Sequence, residues 1–130
     1  MTAYISHTSV DCANSFLLSS FWRSVLDYRD DPEDPNEPGD EECMIFAPDR
    51  RHRILFIEVP EPKQSKNRVH FDLRSLDRTR DEEFERLVEL GASQLADLRN
   101  DDGTGWVVLA DPEGNEFCIL RSDAEVAANA

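Results

Sequence analysis

Long apolar runs are missing from this chain of 130 residues. Its first twenty residues, "MTAYISHTSVDCANSFLLSS", have no basic opening stretch. The apolar runs there are too short for a signal-peptide core or a membrane span, which points to a cytoplasmic protein. Paired cysteines are missing as well. The three thiols, Cys12, Cys43 and Cys118, form no CxxC pair, so they read as reduced cysteines rather than a disulfide framework. Positive charge is scarce, with 14 Lys and Arg against 28 Asp and Glu and a formal net charge of −14. Phosphate backbones and anionic lipid surfaces reward clustered cations, so nucleic acid and membranes are excluded as main partners. No GxSxG elbow, Cys/His nucleophile signature, GxGxxG loop or Walker loop occurs, which speaks against nucleophilic hydrolysis and nucleotide chemistry.

What remains is an ordinary globular pattern, long enough for one domain with its own core. "AYISHTSVDC" (3–12) is β-prone and reads as a first strand. From Asn14 the pattern changes: Leu17 and Leu18, Phe21 and Trp22, Val25 and Leu26 recur at intervals of four, a broad apolar helix stripe that Asn14 or Ser15 can cap. "DDPEDPNEPGDEE" (30–42) holds eight acidic residues and three prolines and reads as a solvated loop; the spacing of an EF-hand calcium loop is absent. "CMIFA" (43–47) and "RILFIEV" (53–59) read as a hairpin, so two strands, or three, follow the helix.

"PEPKQSKN" (60–67) is a connection between halves, and "RVHFDL" (68–73) opens the second. Asp77 or Thr79 can start a second helix ending at Leu90, with Phe84, Leu87 and Val88 inward, Glu82 four residues before Arg86, and Gly91 as its stop. Residues 92–99, 106–110 and 116–120 follow as strands. "DPEG" suits a type I turn before the last of them. Residues 122–130 read as a frayed tail. The order of the first half is thus repeated, with His7 and His70 in the two opening strands, 63 positions apart. Two βαβββ modules, about 3–60 and 67–121, form a single α+β domain. Each helix covers one sheet face, and pairing the other faces encloses a pocket for a small molecule.

"ISHTSVDCANSFLLSSFWRSVLDY", "KNRVHFDL", "LGA" and "GWVVLADPEGNEFCIL" together resemble the vicinal oxygen chelate superfamily, in its glyoxalase-like and bleomycin-resistance-like members, over nearly the whole chain. The resemblance implies paired βαβββ modules forming an open, U-shaped mixed sheet around a site, commonly in a homodimer. In its metal-dependent members a divalent ion such as zinc, iron, manganese or nickel chelates adjacent substrate oxygens. Carried over by position, the resemblance implies His7, Glu58 and His70 as ligands. At the last ligand position it implies a glutamate, where this chain has Cys118.

Three readings of that position stand open. Cys118 is a soft ligand, Glu116 substitutes from two residues earlier on the same strand face, or the metal has been lost and Cys118 packs as a small hydrophobe. A lyase or isomerase would use Glu58 or Glu116 to take a proton. The alternative is a metal-free protein that sequesters a drug or metabolite. Trp106 reads as a stacking surface at the pocket rim or as core, and Trp22 as core. Arg68 and Lys66 would neutralise an anionic substrate or simply offset the acidic loop. His52, in "RRHR", reads as a turn residue.

Overall fold

The structure, a computed structural model, describes residues 1–128. The chain divides into two compact units, Met1–Lys63 and Gln64–Ala130, so the expected boundary falls inside the 60–67 connection.

In the first unit, β1 (Thr8–Cys12) is followed by α1 (Ser15–Leu26), β2 (Glu42–Phe46) and β3 (Arg53–Glu58). β3 lies centrally, parallel to β1 and antiparallel to β2. The strand expected from residue 3 begins only at Thr8. Asn14 caps α1, its side chain accepting from Leu17 N–H at 3.1 Å, and Asp27 ends the helix in the left-handed region. Leu18, Phe21, Trp22 and Val25 are buried along the stripe, with Phe21 and Trp22 edge to face. They meet the sheet face that carries Cys43, Ile45, Ile54 and Phe56, all fully buried. Strand alternation therefore separates a helix-covered face from an open one bearing Ser9, Asp11, Met44, Leu55 and Ile57.

The third strand after α1 is reduced to a single antiparallel bridge between Arg29 and Phe46, with both backbone hydrogen bonds at 2.8 Å. Pro32, Pro35 and Pro38 have no N–H to extend a ladder, and the carboxylates around them are best left in water. Asn36 ties this loop down through Nδ2, which donates to Asp30 and to the Met44 carbonyl. His52 is more than a turn residue: Tyr28 OH lies 2.7 Å from its Nδ1 and Thr8 Oγ1 3.3 Å from its Nε2.

The second unit runs β4 (Phe71–Arg74), α2 (Arg80–Leu90), β5 (Ser93–Asp97), β6 (Val107–Ala110), β7 (Glu116–Leu120) and α3 (Asp123–Ala128). Its sheet order is β4-β7-β6-β5, with β4 and β7 parallel and the other pairs antiparallel. β4 starts at Phe71, three residues later than expected. Thr79 caps α2 in a complete capping box with Glu82. That engages Glu82, and Arg86 pairs instead with Glu83, at 2.7 Å. Leu87 is fully buried as expected, whereas Phe84 is half-buried and Val88 exposed; Arg80 and Glu83 take the inward positions. The expected turn forms, with Gly114 N–H donating to Asp111 O at 2.9 Å and the Asp111 side chain accepting from Glu113 and Asn115. The expected tail carries α3, whose Glu125 accepts from Arg80 N–H.

Candidate functional site

β4 and β7 run side by side so that Phe71 pairs with Phe117, Asp72 with Cys118, and Leu73 with Ile119. Phe117 and Ile119 are fully buried toward α2. Asp72 and Cys118 therefore share the opposite, open face, where Val108 of β6 also pairs with Cys118. His70, two residues before Asp72, brings an imidazole to the same place. One donor atom each from His70, Asp72 and Cys118 lies within 4.8 Å of the others. Among the described residues this is the one set of three or more His, Cys, Asp or Glu side chains so gathered.

The site is layered from solvent inward. The His70 and Asp72 side chains are exposed, with His70 Nε2 3.4 Å from Asp72 Oδ1. Cys118 is 7% exposed, and its sulfur lies beside the Asp72 carboxylate. Burial, reinforced by the neighbouring Asp72 charge, pushes that thiol up to about 11. Without a cation the cysteine is therefore a protonated thiol beside a carboxylate. Imidazole nitrogen, carboxylate oxygen and a sulfur that can ionise form a donor set suited to a zinc-like ion.

Of the residues singled out from sequence, His70 and Cys118 are brought together. The signal for Asp72 was present but unread: it follows His70 by two positions and so shares its strand face. Glu116 begins β7 on the Cys118 face, and its Oε2 accepts from Asn67 N–H at 3.0 Å. Arg68 is exposed beside it. Trp106 is 42% exposed and stands two residues before Val108, the cross-strand partner of Cys118.

In the first unit His7 immediately precedes β1, with Nδ1 3.0 Å from Ser6 Oγ. Glu58 pairs with Cys12 on the helix-covered face, and its Oε2 accepts from Ser15 N–H at 3.1 Å at the start of α1. The 63-residue shift that carries His7 to His70 carries Ser9 to Asp72 and Leu55, not Glu58, to Cys118.

Comparison with known proteins bears on the fold. No curated protein matches the sequence. Among solved structures, the fosfomycin resistance protein FosX from Mesorhizobium loti superposes with a TM-score of 0.66 at 16% identity, over 98% of this chain and 99% of its own. A variant FosX from Listeria monocytogenes, complexed with Mn(II) and 1S,2S-dihydroxypropylphosphonic acid, gives 0.67 at 16% identity over 96% and 94%. A glyoxalase/bleomycin resistance protein/dioxygenase family enzyme from Burkholderia phytofirmans gives 0.64 at 17% identity over 88% and 94%. At these identities the likeness shows the fold, an α+β pairing of βαβββ modules. Residues 7–120 match the family described as Glyoxalase-like domain, and the chain belongs to that family.

Proposed function

We propose that this protein binds a small molecule with adjacent oxygens at a divalent metal ion held by His70, Asp72 and Cys118, and acts on it as a lyase or isomerase. The observation that carries this reading is the convergence of three chemically suitable donors on the open face of the second unit. The Mn(II) bound by the Listeria neighbour supports it. The donors of this chain favour zinc over manganese, because thiolate is a soft ligand and manganese prefers oxygen. When bound, such an ion supplies Lewis-acid polarisation of a substrate oxygen.

The side chains do the rest. Cys118 carries its thiol proton in the metal-free protein, so uptake of an ion must release that proton and weakens as pH falls. Trp106 offers an apolar wall for the carbon skeleton of a ligand. The proton-accepting role expected of Glu58 and Glu116 has less support, since each already accepts from a backbone amide.

A second reading, a metal-free binding protein, is favoured by one observation: burial and the Asp72 charge keep Cys118 protonated, the form that does not bind a metal. Metal analysis of untagged protein separates the two. The metal-dependent reading expects one equivalent of zinc or a related ion, and cobalt(II) uptake with a thiolate-to-cobalt charge-transfer band that vanishes in Cys118→Ala. Asp72→Ala should weaken zinc binding about tenfold or more. A folded protein that takes up no zinc, iron, manganese or nickel at micromolar concentration overturns it.

A further inference from the structure

We propose that Glu116 and Asn67 are positioning residues of the His70–Asp72–Cys118 site: they clamp the chain entering β4 to the turn before β7, and so hold the His70 ring where it meets the other two donors. The inference deepens the metal-site reading and rests on it for what the three donors hold, not for how they are brought together.

β4 is a four-residue strand at the edge of its sheet, and among the described residues β7 is its one strand neighbour. Its ladder runs from the Phe71–Phe117 pair to the Arg74–Leu120 pair, so His70 stands one residue outside it. Arg68, Val69 and His70 are exposed, and burial therefore does not hold them. An exposed histidine at the free end of a short edge strand samples many ring positions. A site that gathers three donor atoms within 4.8 Å of one another needs its supporting groups fixed.

Asn67 supplies the anchor. Its backbone N–H donates to Glu116 Oε2 at 3.0 Å, and its Nδ2 donates to Asn115 Oδ1 at 3.2 Å. The turn behind these groups is itself locked. Asp111, 4% exposed, accepts at Oδ1 from the backbone N–H groups of Glu113 and Asn115, at 2.9 and 3.0 Å, and at Oδ2 from Asn115 Nδ2 at 2.9 Å. Hydrogen-bond polarity then fixes the direction of the chain of contacts. An Asn115 amide whose NH2 group faces the Asp111 carboxylate turns its oxygen toward Asn67, and that oxygen requires a donor there. The strand that carries Cys118 and the segment that carries His70 thus leave from one hydrogen-bonded knot, Asn115 three residues before Cys118 and Asn67 three residues before His70.

Glu116 separates two roles, because they demand different chemistry of it. It shares the β7 face of Cys118, as an alternative ligand would. A ligand role needs the carboxylate, since zinc draws its oxygen ligands from Asp and Glu. The clamp needs an acceptor alone, which the carbonyl of a glutamine keeps.

The test uses the full chain, with cobalt(II) and zinc as probes and amide hydrogen exchange of the metal-free protein as a second readout. Glu116→Ala should weaken binding of both ions about tenfold, as loss of a supporting contact does, and alter the cobalt absorption spectrum. In the metal-free protein it should release Asn67 N–H and the amides of residues 68–72 to faster exchange, while α1, β2 and β3 keep native protection. Glu116→Gln should restore native affinity, spectrum and protection. Asn67→Asp sets an acceptor against Asn115 Oδ1 and should behave as Glu116→Ala, which keeps the test open if the alanine variant folds poorly.

Glu116→Gln binding as weakly as Glu116→Ala would make Glu116 a ligand and overturns the inference. If the native protein binds zinc and neither Glu116→Ala nor Asn67→Asp changes its affinity, the clamp falls and the metal reading stands. If the native protein binds neither ion, the metal reading falls and exchange decides the clamp. Faster exchange at residues 67–72 in Glu116→Ala and Asn67→Asp, but not in Glu116→Gln, supports it, and unchanged exchange in all three overturns it.

Discussion

Arg80 begins α2 and is 5% exposed, and its Nη1 donates to the carbonyls of Gly103, Thr104 and Gly105 at 3.2, 3.0 and 3.1 Å. Nε pairs with Asp81, which Arg99 also binds. A neutral side chain there leaves those carbonyls without their charged donor, so Arg80→Met should cost about 2–4 kcal/mol, read as a lower urea midpoint with unchanged slope. Arg80→Lys should recover part of the loss. Cys118 gives a second expectation at this scale. Its thiol is held up to about 11, and only the thiolate is nucleophilic. In metal-free native protein its alkylation at pH 8 should therefore be far slower than in urea, and should accelerate as pH rises toward about 11. Equal rates in the two states would show that the thiol is not shielded by burial. Both effects depend on partners remote in sequence. His70 and Cys118 were legible because a repeat and a turn mark them. The buried role of Arg80 was not, because a charged residue at a helix start reads as solvated.

At the scale of elements, what was legible was whatever local chemistry dictates: the stripe and Asn14 cap of α1, the Thr79 and Gly91 ends of α2, and the turn before β7. What was not legible depends on register. Whether Glu58 faces the helix or the open side is decided by pairing with β1, and a one-residue slip inverts every side chain. Likewise, the reduction of one strand to the Arg29–Phe46 bridge depends on where the prolines fall relative to the β2 edge. The β5–β6 hairpin shows the same limit. Gly105 has φ +92°, and a Cβ there would lie 2.1 Å from the Leu98 carbonyl oxygen, next to the bond from Leu98 N–H to Trp106 O. Gly105→Ala should destabilise by about 2–3 kcal/mol and shift the Trp106 environment, seen as altered tryptophan fluorescence. A variant with unchanged stability and spectrum would mean that the hairpin tolerates another path.

For the whole molecule, charge divides the two units. Among the described residues, the carboxylates shown held below their ordinary range, Asp81, Glu82, Asp97, Asp102 and Glu125, belong to the second unit. Hydrogen bonds from the Arg99 side chain and backbone take Asp97 furthest, to about 2. A carboxyl group with a depressed native pKa contributes stability that is present above its unfolded value and lost as pH falls through the native one. Acid also has an opposite, general effect, because protonating surface carboxylates relieves the self-repulsion of a chain at −14. Relief acts first and on both units. Below about pH 4, where unfolded carboxylates take up protons, the loss in the second unit overtakes it. Hydrogen exchange at successively lower pH should therefore show amides of α2, β5 and β6 losing protection before those of α1, β2 and β3. Asp97→Asn should narrow that gap by removing the most strongly perturbed group, and the effect should fade at high salt. Simultaneous loss in both units, or earlier loss in the first, would mean that relief of repulsion rather than these paired carboxylates governs acid unfolding.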